Sequence, residues 1–178
     1  MIRTVEKILA PLKRRVRLMV SRAIIKANDD SKGLQQLQVD ALADETLDRV
    51  ERFQGYGFTS VPLAGGSALV VCVGGSRSHP VIVATDDARY RLKGLQPGEV
   101  ALYTDQGDKI HIKRGGNIDI VAATKLKIIA PEIELTGPLT VAGNITVTGG
   151  NVVADGISLK THVHPGVTAG GASTGLPT

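Results

Sequence analysis

The chain has 178 residues, a mass of 18.7 kDa and a formal net charge of +4, which allows one domain or two small ones. Hydrophobic residues make up 42% of the sequence and aromatic residues only 3%, so Val, Ile, Leu and Ala must form any core. The single cysteine, Cys72, excludes a disulfide within the chain and is expected on a buried strand. No apolar run reaches membrane-spanning length and the start is unlike a signal peptide, so we expect synthesis in a reducing cytoplasm.

The N-terminal segment is strongly basic. Residues 1–32 contain nine Lys and Arg residues. Apolar residues from Val5 to Val16 have helical spacing, interrupted by Pro11, and predict a short basic helix or arm over residues 1–15. Such a charge distribution suggests an acidic partner such as nucleic acid or an acidic protein surface, whereas a solvated helix face is the commoner explanation for any one of these charges.

A strand-like alternation begins at Val16, and further short apolar runs follow it between Gly-rich turns. About five strands within about 85 residues predict a small closed barrel of the OB type over residues 16–104. We expect this barrel to lack the exposed aromatic run that stacks nucleic acid bases. Gly74-Gly75-Ser76 is predicted to be a turn, since no Gly-Lys-Ser/Thr follows to bind phosphate. His79 is expected in a loop and His111 facing outward, neither with a catalytic partner.

From about Asp105 onward, pairs of apolar residues at positions i and i+2 recur every six to eight residues, separated by polar, Gly or Pro turns. Strands this short cannot bury their apolar face within one chain. Three interleaved chains would bury every pair on one axis and remove the lateral edges, whereas a single-chain solenoid is the alternative. The predicted fold class is therefore all-β, an OB-type barrel followed by an intertwined triple-stranded β-helix over residues 105–160, as a homotrimer. The pairs are Ile110/Ile112, Ile118/Ile120, Leu126/Ile128, Ile133/Leu135, Leu139/Val141 and Ile145/Val147.

Two histidines, His162 and His164, follow this repeat in the predicted apex, residues 161–178. Residues two apart on a strand point the same way, so three chains would bring six imidazoles together. Six nitrogens suit octahedral Fe(II) or Ni(II) better than tetrahedral zinc, and availability favours iron. From Ile133 to Leu159 the inward positions are odd-numbered, whereas His162 and His164 are even, so an irregularity near Lys160 must shift the register. The alternative is a pair of exposed tail histidines.

Three stretches of the chain resemble a known family, the central spike or baseplate assembly protein V family of contractile phage tails, of the Mu-like and P2-like types. The resemblance extends over nearly the whole chain and is closest to the Mu-like branch. The stretches are Pro62-Leu63-Ala64-Gly65-Gly66 through Gly74-Gly75-Ser76-Arg77-Ser78-His79-Pro80, Lys93-Gly94-Leu95-Gln96-Pro97-Gly98-Glu99-Val100-Ala101-Leu102-Tyr103, and Thr161-His162-Val163-His164-Pro165-Gly166.

This resemblance implies a structural virion protein, located at the tip of the tail baseplate, that pierces the host outer membrane when the tail sheath contracts. It implies one iron per trimer, bound by six nitrogens from His162 and His164, and calcium and chloride near the tip, where Asp155 is the only acidic residue. The implied partners are two further copies, a baseplate hub protein and the host outer membrane. No enzymatic activity, small-molecule substrate or nucleic acid is expected. The alternative is a nucleic-acid-binding OB protein with a β-solenoid oligomerisation tail, which the pI of about 9.3 favours.

Overall fold

The structure is a computed structural model that describes residues 2–163, 166 and 170. Apart from one helix and one 3-10 turn, its regular elements are all short strands, which confirms the all-β prediction. The chain divides into two compact units, Met1–Lys127 and Ile128–Thr178. The elements are α1 (Ile2–Arg17), β1 (Val20–Asp29), β2 (Gln36–Leu42), β3 (Glu45–Arg52), β4 (Ser67–Cys72), a 3-10 turn (Val73–Gly75), β5 (Pro80–Asp86), β6 (Val100–Tyr103), β7 (Lys109–Ile112), β8 (Ile118–Val121), β9 (Val153–Ala154) and β10 (Ile157–Ser158).

The first five strands form a closed barrel in the order β1-β2-β3-β5-β4, and β4 pairs back onto β1. All the pairs are antiparallel except β3 with β5, which are parallel. The prediction of a small closed barrel is therefore confirmed. Alternate residues of each strand point inward and form a purely aliphatic core. The core residues are Ala23, Ile25, Leu37, Val39, Val50, Ala68, Val70 and Ile82.

Helix α1 extends further than the sequence predicted. Val16 was expected to begin the first strand, but it lies in the helix, and the strand begins only at Val20. The Leu18 amide still donates to the Arg14 carbonyl at 3.1 Å, so the helical hydrogen bonding continues past Val16. Helical spacing of the apolar residues therefore prevails over the short alternation that follows. Within the described residues, no helix is both long enough and apolar enough to cross a membrane.

The barrel exposes its aromatic residues, contrary to the expectation of no exposed aromatic run. Phe53, Tyr56 and Phe58 lie in the loop after β3, and Tyr56 is fully exposed. Tyr90 and Tyr103 are partly exposed as well. The interior is filled by aliphatic side chains, so the larger rings lie outside.

One charged side chain is buried in the barrel region. Arg52, at the end of β3, donates to the Gln35 side-chain carbonyl at 2.8 Å, to the Ser60 carbonyl at 2.5 Å and to the Thr85 hydroxyl at 2.9 Å. Burial lowers the pKa of the Arg52 guanidinium, and Asp30 opposes that shift. The hydrogen bonds compensate for desolvation and fix the aromatic loop to the barrel.

Three smaller predictions about this region are confirmed. Cys72 is a fully buried core residue of β4. Gly74 and Gly75 form a turn in which both residues have positive φ, 63° and 70°, a conformation that favours glycine. His79 lies in the exposed turn before β5 and hydrogen-bonds the Ser78 hydroxyl through Nδ1 at 3.0 Å.

Candidate functional site

The three-stranded sheet β6-β7-β8 has one entirely aliphatic face. Opposing residues of an antiparallel pair share a face, so the register places two rows of three side chains side by side. All six side chains are at least 42% exposed, which makes this a flat apolar patch open to water. The rows are Val100, Ile112 and Ile118, and Leu102, Ile110 and Ile120.

The opposite face of this sheet is polar and internally paired. His111 Nε2 lies 3.2 Å from Glu99 Oε2, and Lys113 forms an ion pair with Asp119. Amides of Gln96 and Arg114 donate to the Glu99 carboxylate at 2.9 and 3.1 Å. These amides, and then His111, hold the pKa of Glu99 below its usual range. The sequence did not predict this ion pair, because Glu99 is twelve residues from His111 and only strand pairing brings the two side chains together.

The aliphatic pairs beyond this sheet have no strand partner within their own chain. Residues 122–152 contain no strand, although the period of two predicts several. Glu132 and Glu134 are exposed and alternate with Ile133 and Leu135, as expected. The eight paired aliphatic side chains of the segment are all at least 44% exposed: Leu126, Ile128, Ile133, Leu135, Leu139, Val141, Ile145 and Val147.

A small hairpin, β9 and β10, comes just before the histidines. Asp155 and Gly156 connect its strands with positive φ values of 48° and 79°, as in the two-residue turns that favour Asp-Gly. Asn151 Nδ2 donates to the Ser158 hydroxyl at 2.7 Å, and its Oδ1 accepts the Lys160 amide at 3.1 Å. The contribution of Asn151 and Ser158 was not predicted from the sequence, although the Asp-Gly pair between them is a strong hairpin signal.

The predicted irregularity near Lys160 is a turn over residues 159–161. Two hydrogen bonds close this turn. The Thr161 amide donates to the Ser158 hydroxyl oxygen at 3.1 Å, and the His162 amide donates to the Ser158 carbonyl at 3.0 Å. His162 Nδ1 lies 3.1 Å from the Leu159 carbonyl. Since a carbonyl only accepts, this contact requires a proton on Nδ1, and in the neutral ring the lone pair is then on Nε2.

His164, the second predicted ligand, lies outside the described residues. Among the residues that the structure describes, no three His, Cys, Asp or Glu side chains from one chain cluster as a metal site. Asp155, which was considered for calcium, is exposed in the hairpin turn. Iron, calcium and chloride binding therefore stay predictions.

Comparison with known proteins relates these features to one family. The profile described as Bacteriophage Mu Gp45, N-terminal, matches residues 22–89, and the GpV Apex motif matches residues 156–178. The first match covers most of the barrel, and the second covers the end of the hairpin and both histidines.

Two relatives match almost the whole length of the chain. The baseplate puncturing device gp45 of Escherichia phage Mu is 35% identical over 181 residues, covering 92% of this chain and 92% of the relative. The Mu-like prophage FluMu protein gp45 of Haemophilus influenzae is 38% identical over 171 residues, covering 90% and 93%.

The matches to the closed barrel and to the C-terminal apex motif together place the chain among phage tail baseplate proteins. The chain belongs to the Mu Gp45 family. The family assignment made from the three sequence stretches is thereby confirmed.

Proposed function

We propose that this chain is the central spike of a contractile phage tail, a homotrimer that pierces the host outer membrane when the sheath contracts. It is a structural component of the virion, located at the tail baseplate and bound there by a hub protein. The name of the phage Mu relative, a baseplate puncturing device, supports this function. The observation that carries the proposal is the aliphatic repeat, which one chain leaves exposed.

Association of three copies would bury the aliphatic side chains that one chain leaves exposed. The apolar face of β6-β7-β8 and the pairs of residues 122–152 present aliphatic side chains over the region predicted as a rod. Burial of apolar surface stabilises an assembly by about 25 cal/mol per Å², and neighbouring chains also supply hydrogen-bond partners for unpaired strand backbone. An intertwined triple-stranded β-helix provides both. The strand order β1-β2-β3-β5-β4 supports an OB-type barrel as the N-terminal domain.

The histidines would fix the end of this rod through one iron per trimer. The proton on Nδ1 of His162 is held by the Leu159 carbonyl, which leaves Nε2 as the ligating nitrogen. Metal-binding histidines commonly donate their other ring N–H to a backbone carbonyl in this way. His162 therefore fits the proposed ligand set, with His164 as the second ligand of each chain. The metal would crosslink three chain ends, and the function needs no turnover or substrate.

Native mass spectrometry with metal analysis of the full chain tests the proposal. We expect a trimer with one iron per three chains. The double substitution His162→Ala and His164→Ala should remove the metal without dissociating the trimer, whereas His79→Ala, in the exposed turn before β5, should change neither. A folded monomer at micromolar concentration would refute the trimer. A metal-free native trimer would refute the iron site alone.

Membrane piercing can be measured separately, with assembled phage particles and host cells. Release of a periplasmic enzyme from host cells measures a breach of the outer membrane. Particles carrying the histidine double substitution should adsorb and contract normally but release less enzyme, because the tip of the spike frays. Equal release would show that the histidines are dispensable for piercing.

Nucleic acid binding is the second candidate function, and the exposed aromatic residues Phe53, Tyr56 and Phe58 favour it. However, residues 53–66 around them contain no Lys or Arg to contact phosphates. A salt-dependent shift of single-stranded DNA that Tyr56→Ala abolishes would support this candidate. We expect no such shift.

A further inference from the structure

Helix α1 carries an apolar stripe that no described part of the chain covers. Val5, Leu9, Leu12 and Val16 are all at least 38% exposed, and every residue from 5 to 17 is exposed. The helix approaches the barrel mainly at its last turn, where Arg15 lies against Gly75. A helix of this length is marginal by itself in water and owes its stability to packing of its apolar face. The stripe therefore requires a partner.

The spacing of the stripe indicates which partner. Its four residues lie four, three and four positions apart. Alternating steps of three and four are typical of the seam of a coiled coil, and Ile8, which is 71% exposed, flanks this seam and widens the apolar face on one side. Within the heptad frame set by this seam, Pro11 occupies an outward position, where its ring does not disturb the seam.

The charges of the helix agree with this arrangement. Lys7, Arg14 and Arg17 lie on the side opposite the seam, whereas Lys13 and Arg15 flank it, where long basic side chains can extend into water. A helix that lies on a membrane surface is also basic, but it typically carries Trp or Phe on its apolar face. The seam of α1 contains no aromatic residue.

We propose that the α1 helices of three copies pack in parallel as a three-stranded coiled coil, with Val5, Leu9, Leu12 and Val16 at its centre. The apolar stripe of each α1 helix would therefore be covered by the same stripes of two further copies of this chain. β-Branched and leucine residues are mixed at both core positions, a composition that does not impose a two-stranded form. This inference rests on the proposed trimer, which sets the number of strands. The coiled coil would give the spike a second trimer contact at its N-terminal end.

Oxidative crosslinking of the full chain tests the arrangement. Leu12→Cys places a thiol in the seam, and Arg14→Cys places one on the basic side of the same helix turn. The native Cys72 is buried, and the unsubstituted chain controls for it. We expect Leu12→Cys to form covalent dimers, in which two of three chains are joined, at least fivefold more than Arg14→Cys. Native mass spectrometry of the same samples reports the trimer separately.

The outcomes separate the two proposals. Trimers with selective crosslinking at Leu12 support the coiled coil. Trimers in which both cysteines crosslink equally, or neither does, overturn it and leave the proposed trimer intact. A monomer overturns both.

Added salt provides a second readout. Salt screens the repulsion between basic helices, so crosslinking at Leu12 should persist or increase with salt. Binding of α1 to anionic vesicles would instead weaken with salt. Saturable binding of the trimer to phosphatidylglycerol vesicles that Leu12→Asp abolishes, without selective crosslinking at Leu12, would assign the stripe to a membrane and overturn the coiled coil.

Discussion

Truncation of Ile120 to alanine tests whether the aliphatic face of β6-β7-β8 is an interface. In one chain the Ile120 side chain is 55% exposed, so the truncation would cost an isolated chain about 1 kcal/mol of unfolding free energy. If three chains bury this face, the loss resembles a large-to-small core substitution, which costs about 2–5 kcal/mol. Summed over three chains, the expected loss is about 6–15 kcal/mol per trimer. Unfolding in guanidinium at several protein concentrations, with native mass spectrometry, measures it.

Val121→Ala is the matched control for this experiment. Val121 follows Ile120 on β8, is 45% exposed and points to the opposite, polar face of the sheet. The Val121→Ala protein should lose about 1 kcal/mol or less of unfolding free energy per chain, whether or not trimers form. A substitution of Ile120 to Asp should go further and prevent assembly, because three carboxylates would meet in an apolar environment. Equal losses for Ile120→Ala and Val121→Ala would refute the buried interface.

Three further predictions address other parts of the chain. The pKa of Glu99 is lowered in the folded protein, so Glu99→Gln should reduce the free energy of unfolding at pH values above the usual carboxyl pKa. The difference between the two proteins should disappear as acid protonates Glu99. Denaturation at several pH values measures this difference, and a loss that does not depend on pH would contradict the prediction. Arg52→Met should reduce the free energy of unfolding by about 1–3 kcal/mol, because the buried acceptors of Arg52 lose their hydrogen-bond donor. Thermal unfolding measures this loss, and Arg49→Met, at an exposed position, is the control. A fragment beginning at Tyr90 should still trimerise by sedimentation, and a monomeric fragment would place the main trimer contact in the barrel.

The sequence was most informative where a side-chain period coincided with a buried face. The inward residues of β1 to β5 alternate, so the number of strands and the aliphatic core could be predicted. The same period predicted the aliphatic face of β7 and β8 correctly. It failed at Val16, where helical spacing and a strand-like alternation overlap, and only the continued helical hydrogen bonds decide between them.

Contacts between residues distant in sequence were not predictable. His111 pairs with Glu99 only because β6 and β7 are antiparallel, and Arg52 meets Thr85 because β3 and β5 run parallel. Exposure of Tyr56 was also missed, since composition does not reveal on which side of a barrel a ring lies. At the tip, the turn near Lys160 was expected from the parity of the inward positions, but the roles of Asn151 and Ser158 in closing it were not.

The contrast between the closed barrel and residues 122–152 has a consequence for how the particle obtains its spike. The barrel has its own core and can form as soon as one chain is made, whereas in the proposed trimer the repeat would find its strand partners only when two other chains arrive. Completion of the proposed rod is therefore an encounter-limited step, and its rate should increase with the concentration of newly made chains. Once three chains are interlaced, none can leave without unravelling the others, so the rod persists by slow unfolding more than by equilibrium. In the proposed piercing role the spike would be used once and under force, and slow unfolding would be sufficient for that role.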